Sequence, residues 1–172
     1  MMSSELRVDK IVPVDGVPAS GGGGIVQIVK GGSNSRLDRG NNTGTYYNTY
    51  VNATITPKFN TSKILIVGTG DVQAQNDTTG AVGFARGDTA GDGNVTNGTL
   101  LGVTSSAGIV NFRFNATMEN VPLTAMYLDS PGTTSATKYT VILARVSGSN
   151  NILLPGNNNH NEFSIYLFEV SA

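Results

Sequence analysis

The sequence predicts an all-β chain: a jelly-roll-like β-sandwich carried behind an extended N-terminal arm. Three observations predict it. Strand alternation recurs along the chain, whereas helical periodicity is hard to find. The polar mass is Asn, Thr, Ser and Gly rather than Lys and Glu, and those residues favour turns and strands over helices. Clusters of Gly, Asn, Asp, Pro and Ser separate the apolar runs, as turns require.

The first element is the opening stretch SELRVDKIVPVDGVPASGGGGIVQIVK, which runs from Ser4 to Lys30. Pro13 and Pro18 block a regular continuation, and Gly21, Gly22, Gly23 and Gly24 supply flexibility or unusual backbone angles. A phosphate cradle would need a strand before the glycines, a helix after them and a lysine followed by Ser or Thr. The strand-like IVQIV follows instead, so the glycines read as a joint. Residues 3–19 read as the arm, residues 1–24 as arm plus joint, and residues 25–172 as one sandwich domain. Leu6, Val8, Ile11 and Val12 are the arm's apolar positions, too few for a core of their own and suited to docking on a partner.

The strands follow in order. YYNTYVNATI places Tyr47, Val51, Ala53 and Ile55 on one face, with Thr49 between them. SKILIVGTGDVQAQ begins apolar on both faces and then alternates, with Val72 and Ala74 against Asp71, Gln73 and Gln75; it reads as a long strand passing from the centre of a sheet to its edge. NFRFNATM points Phe112, Phe114, Ala116 and Met118 one way and Asn111, Arg113, Asn115 and Thr117 the other. KYTVILARV and EFSIYLFEV are apolar on both faces, as strands covered by a second sheet or by a neighbouring subunit are. The pattern gives about nine or ten strands and no repeat of fixed period. Phe112, Phe114, Val141, Leu143, Ile165 and Leu167 are expected to be buried.

Composition bounds the function. A chain of 172 residues is long enough for one domain with a real core. Charged residues are 13% and the net charge is -1, which points away from nucleic acid and anionic membranes. No apolar run approaches the roughly 20 residues of a membrane helix, and MMSSELRVDK lacks the apolar region of a secretory signal. Cysteine is absent and His160 is the single histidine, so thiolate and His-rich metal sites are not expected.

Few residues suggest chemistry. Arg86, Gly87 and Asp88 form a tripeptide that some animal adhesion receptors recognise, in a stretch that reads as a hairpin turn. Asp88, Asp92 and Asn94 offer oxygens to a calcium ion but lack the spacing and terminal glutamate of a helix-loop-helix site. Arg86, Asp88, Asp92 and Asn94 are therefore read as an exposed recognition loop. His160 and Glu162 have no nucleophile in a triad setting, and no glycosidase carboxylate pair can be picked out. Trp is absent and aromatics are 7%, which disfavours a sugar-binding platform. No catalytic site, cofactor or metal is expected.

Four stretches carry a resemblance: MSSELRVDKIVPVDGVPASGGGGIVQIV, ATITPKFNTSKILI, LDSPGTTSATKYTVIL and the ending FSIYLFEVSA. They resemble small structural proteins of tailed bacteriophages, especially phages of marine cyanobacteria, usually labelled tail fibre or virion structural proteins. The resemblance covers both ends and the middle. It is weakest from about Gly31 to Thr45 and from Asp77 to Thr99, so those loops are candidates for binding a host or a neighbour. It implies a non-enzymatic virion protein, made in the host cytoplasm and exposed on the particle. The implied form is a homotrimeric tail fibre, tip or adhesin component, anchored to another virion protein by its arm and facing a host glycan or protein. The alternative is a capsid decoration protein, cement or head fibre, of the same fold; a carbohydrate-binding module ranks third.

Overall fold

A computed structural model describes residues 24–39, 43–74, 77–87, 93–95, 97–105, 107–115, 119–156 and 162–171. Eleven strands run through them: β1 (Ile25–Ser33), β2 (Leu37–Arg39), β3 (Tyr46–Ile55), β4 (Lys63–Ala74), β5 (Thr78–Arg86), β6 (Thr99–Leu101), β7 (Val110–Phe114), β8 (Glu119–Asp129), β9 (Thr137–Ser147), β10 (Ile152–Leu154) and β11 (Phe163–Val170). No helix occurs among the described residues. The eleven exceed the nine or ten that pattern suggests, and β2, β6 and β10 have three residues each, too few to show a period of two.

Eight strands build the fold. Sheet A has the order β1-β11-β4-β8 and sheet B the order β3-β9-β5-β7, all antiparallel. The short β10 and β2 extend from the far end of β4, and β6 pairs with the last residues of β5. In chain order the eight strands visit sheets A, B, A, B, B, A, B and A. That is jelly-roll connectivity, two Greek keys folded face to face.

The core lies between the sheets. Ile64, Ile66 and Val72 of β4, Phe163, Ile165 and Leu167 of β11, and Tyr139, Val141 and Leu143 of β9 meet there with Phe84 and Phe114. All six residues expected to be buried are in this cluster. Phe112 and Phe114 meet edge to face, their ring centroids 5.4 Å apart. Gly68 and Gly70 leave openings on the inner face of β4, which the rings of Phe84 and Phe163 occupy. On one flank the sandwich closes β1 against β3, where a Cβ on Gly31 would collide with the backbone carbonyl of Asn52.

One expectation needs correction. β4 does not pass from centre to edge. β8 flanks it along its whole length, and β11 and then β10 flank its other side. The polar residues in its second half, Asp71 and Gln73, alternate with the inward Val72 and Ala74 and point to the outer face of sheet A. The alternation reports a face, not an edge.

Candidate functional site

The two outer faces of the sandwich differ. On sheet B, the row Asn48–Ile142–Gly83 and the row Tyr46–Ala144–Ala81 point away from the core. The connection between β5 and β7 lies over them. Its residues 93–95 run beside the start of β3: the Asn48 N–H donates to the Gly93 carbonyl at 3.0 Å, and the Val95 N–H donates to the Tyr46 carbonyl at 3.1 Å. Val95 and Val103 from this connection pack on Ile142, Ala144, Ala81 and Ala85 in a second buried cluster. Gly83 lets Val103 approach, because a Cβ there would collide with the Val103 side chain. Polar atoms are trapped below: the Tyr46 hydroxyl and the Asn48 side-chain amide are buried with no hydrogen-bond partner among the described residues, and burial pushes the Tyr46 pKa up to about 12.

The outer face of sheet A has an equally apolar row system but no such cluster among the described residues. Cross-strand register aligns Ile28, Phe168, Leu65 and Leu128 in one row. The next row is Lys30, Tyr166, Val67 and Met126. Ile28 is 57% exposed, Met126 60% and Leu128 51%, values that place them on open surface. Tyr166 and Phe168 stack at 6.5 Å on the same face. A polar row bounds the patch on one side, where Thr69 and Thr124 share a 3.0 Å hydrogen bond; on the other side the row runs Ile25, Val170 and Lys63, with only Lys63 polar. Lys30, the single charge in the two apolar rows, is paired with Glu162 at 2.9 Å.

Both ends of the described chain leave the sandwich together. The Ser171 N–H donates to the Gly24 carbonyl at 3.0 Å, and the Gly24 N–H donates to Ser171 Oγ at 3.2 Å. Two buried carboxylates stiffen this end. Glu169 is fully buried and accepts from Gln27 Nε2 at 2.6 Å, from the Lys58 N–H at 2.7 Å and from the Phe59 N–H at 3.3 Å. Burial alone would raise its pKa; those donors outweigh burial and hold it below the ordinary carboxylate value. Asp129 of sheet A accepts from Arg86 Nη1 on both carboxylate oxygens, at 2.9 and 2.8 Å, and from the Tyr139 hydroxyl at 2.7 Å, the two donors coming from sheet B. Burial first, then the Asp129 carboxylate, push the Tyr139 hydroxyl far above its ordinary pKa. The cluster ties the two sheets together.

The residues singled out from sequence are not gathered in one place. Leu6, Val8, Ile11 and Val12 and the joint glycines Gly21, Gly22 and Gly23 lie outside the described residues; Gly24 is fixed by Ser171. Arg86 is not an exposed loop residue. It ends β5, and its guanidinium is engaged by Asp129, a partner 43 residues away that local reading has no means to supply. Asp88 and Asp92 lie outside the described residues, as does His160. Asn94 is exposed and bridges to Tyr47 on the flank of sheet B. Among the described residues no group of three His, Cys, Asp or Glu side chains converges as metal ligands would. The open rows of sheet A include the stretches ILIV and IYLF, apolar at every position, which the sequence marks as strands apolar on both faces without saying which face is open or which residues of β1 and β8 complete the rows. No known protein-family model matches the chain, and no curated protein matches it.

Proposed function

We infer that the chain is a structural protein of a tailed bacteriophage particle: a homotrimeric tail fibre, tip or adhesin component, attached to a neighbouring virion protein through residues 3–19. Capsid decoration by the same architecture is the second form of this reading. One observation carries it. The jelly roll is complete within residues 25–170, and the chain enters it at Gly24 beside its own C-terminal end. All eight main strands are therefore supplied without the opening segment, which leaves Leu6, Val8, Ile11 and Val12 available to a partner rather than required by the core. The end where the segment enters is also the end braced by Glu169 and by the Arg86–Asp129–Tyr139 cluster, a suitable place to bear load. The resemblance of the opening, central and closing stretches to phage structural proteins supports the same reading.

The reading also relocates the candidate recognition surface. If residues 3–19 hold the particle, the opposite end of the sandwich faces outward. That end carries the turn after β1 at Asn34 and Ser35 and the turn between β9 and β10 at Ser149, Asn150 and Asn151. The test is deletion of residues 1–20. The truncated protein should fold with unchanged melting and fail to enter particles. Truncated protein that still assembles normally removes the arm from the reading. A particle map with the chain traced separates tail from capsid.

A further inference from the structure

We propose that the outer face of sheet A is the surface through which copies of this chain associate, with the rows of Ile28, Phe168, Leu65 and Leu128 and of Tyr166, Val67 and Met126 at its centre. This rests on the homo-oligomeric part of the reading above and not on its virion part.

The argument starts from the register. A one-residue alternation normally gives a sheet one apolar face toward the core and one polar face toward water. In sheet A the outward residues of four adjacent strands are apolar across one whole row and across three of the four strands in the next, where Lys30 is the fourth. Sheet B has the same problem and solves it inside the chain, with Val95 and Val103 of the β5–β7 connection. Sheet A leaves Met126 and Leu128 more than half exposed. Scattered exposed apolar residues need no explanation, but contiguous rows across a whole sheet mark an interaction surface.

Size and charge identify the occupant as a second copy. Four strands spaced ~4.8 Å apart and about nine residues long at ~3.4 Å each give a face of roughly 600 Å², close to the ~800 Å² each partner brings to a stable interface. An apolar centre bounded by Thr69 and Thr124 on one side, by Lys63 at one corner and by the Lys30–Glu162 pair at another has the layout of such an interface. A charged face would repel an identical one. Here the two rows hold one charge, Lys30, and Glu162 offsets it, so self-contact meets no net repulsion. Three copies closing about an axis would turn three such faces inward, as closed cyclic symmetry allows.

The absence of cysteine makes the test clean. Full-length protein is weighed by light scattering at micromolar concentration, beside the double variant Met126→Lys/Leu128→Lys. The wild type should have a multiple of the 17.9 kDa chain mass, and the double variant should fall to a single chain with unchanged circular dichroism and a melting temperature that no longer depends on protein concentration. Separately, Leu128→Cys should cross-link copies on mild oxidation, whereas Arg113→Cys, on the outer side of sheet B, should not. A monomeric wild type overturns both this inference and the homo-oligomeric reading. A double variant that keeps the wild-type mass, or equal cross-linking at positions 128 and 113, overturns the face alone and leaves the homo-oligomeric reading in place.

Discussion

The two sheets of the sandwich begin from the same inheritance and end differently. Each has central strands that are apolar on both faces: β9 in sheet B, β11 and the first half of β4 in sheet A. In β9 the outward Ile142 and Ala144 are fully buried beneath residues that the chain itself lays across them. In sheet A the outward Leu65 and Val67 of β4 and Tyr166 and Phe168 of β11 are only partly buried, and on the flanking β1 and β8 the outward Ile28, Met126 and Leu128 remain half or more open. Two-faced apolarity therefore carries two meanings in one molecule. In sheet B it records an internal cover, and in sheet A it records a surface still available to a partner.

The largest expected effect breaks the covered side. Ile142→Ala removes a fully buried side chain from the cluster beneath Val95 and Val103, and should cost about 3–4 kcal/mol in denaturant unfolding. A cost below about 1 kcal/mol would mean that the β5–β7 connection lifts easily and that sheet B is as open as sheet A.

Next comes the clamp that holds the sheets in register with each other. Asp129→Ala leaves the Arg86 guanidinium and the Tyr139 hydroxyl without their shared acceptor. Removing one partner of a buried pair typically costs 3–5 kcal/mol, and Arg86, a quarter exposed, regains some hydration, so about 3 kcal/mol is expected here. Asp129→Asn keeps the shape and loses the charge, and should cost less than Asp129→Ala.

Sequence patterning made the all-β class legible, and with it the inward face of β7, because a period of two survives where one face only is apolar and the strand is at least five residues long. Phe112 and Phe114 follow from that period, and Val141, Leu143, Ile165 and Leu167 from their place in the most apolar strands. What stayed hidden is non-local. Val95 is a lone apolar residue among Gly, Asn and Thr, and Val103 a single valine between Gly102 and Thr104, so nothing in their neighbourhood announces that they cover β9. Arg86 reads as part of a surface tripeptide until Asp129 is brought beside it. In β4, alternation at Asp71 and Gln73 looks like a sheet edge, since one strand's pattern does not say which neighbours it has. β8 lacks clear alternation because its outward Met126 and Leu128 are as apolar as its inward Leu123 and Ala125.

A smaller change probes how closely the cover fits. Gly83→Ala drives a Cβ into Val103. The connection must shift outward, at a cost of about 1–2 kcal/mol, in the range for overpacking. Hydrogen exchange should then quicken at the amides of Asn48 and Val95, whose bonds pin the connection to β3. Unchanged exchange would place the accommodation in Val103 alone.

At the end where the chain enters, acidity should loosen the turn between β3 and β4. The Glu169 carboxylate has a lowered pKa in the folded chain. Its contribution is therefore present above the ordinary glutamate value and is lost as pH falls through the folded value. Melting temperature should fall on acidification below about pH 4.5, near the ordinary value, and Glu169→Gln should flatten that limb while lowering stability at neutral pH. An identical acid limb in the variant would assign the loss to other carboxylates.

The smallest expected effect tests the open side. Leu128→Thr keeps a residue suited to a strand at a position that is 51% exposed, so the isolated chain should lose no more than about 0.5 kcal/mol. Association complicates that number in a useful way. If copies meet through sheet A, folding and assembly are linked, and wild-type melting temperature rises with protein concentration by mass action. Leu128→Thr should weaken that concentration dependence while leaving the low-concentration melting temperature nearly unchanged. The pair of measurements separates the two meanings of an apolar outer row. A cost above about 2 kcal/mol at the lowest concentration would show that Leu128 is covered within the single chain, as Ile142 is, and the contrast between the sheets would be gone.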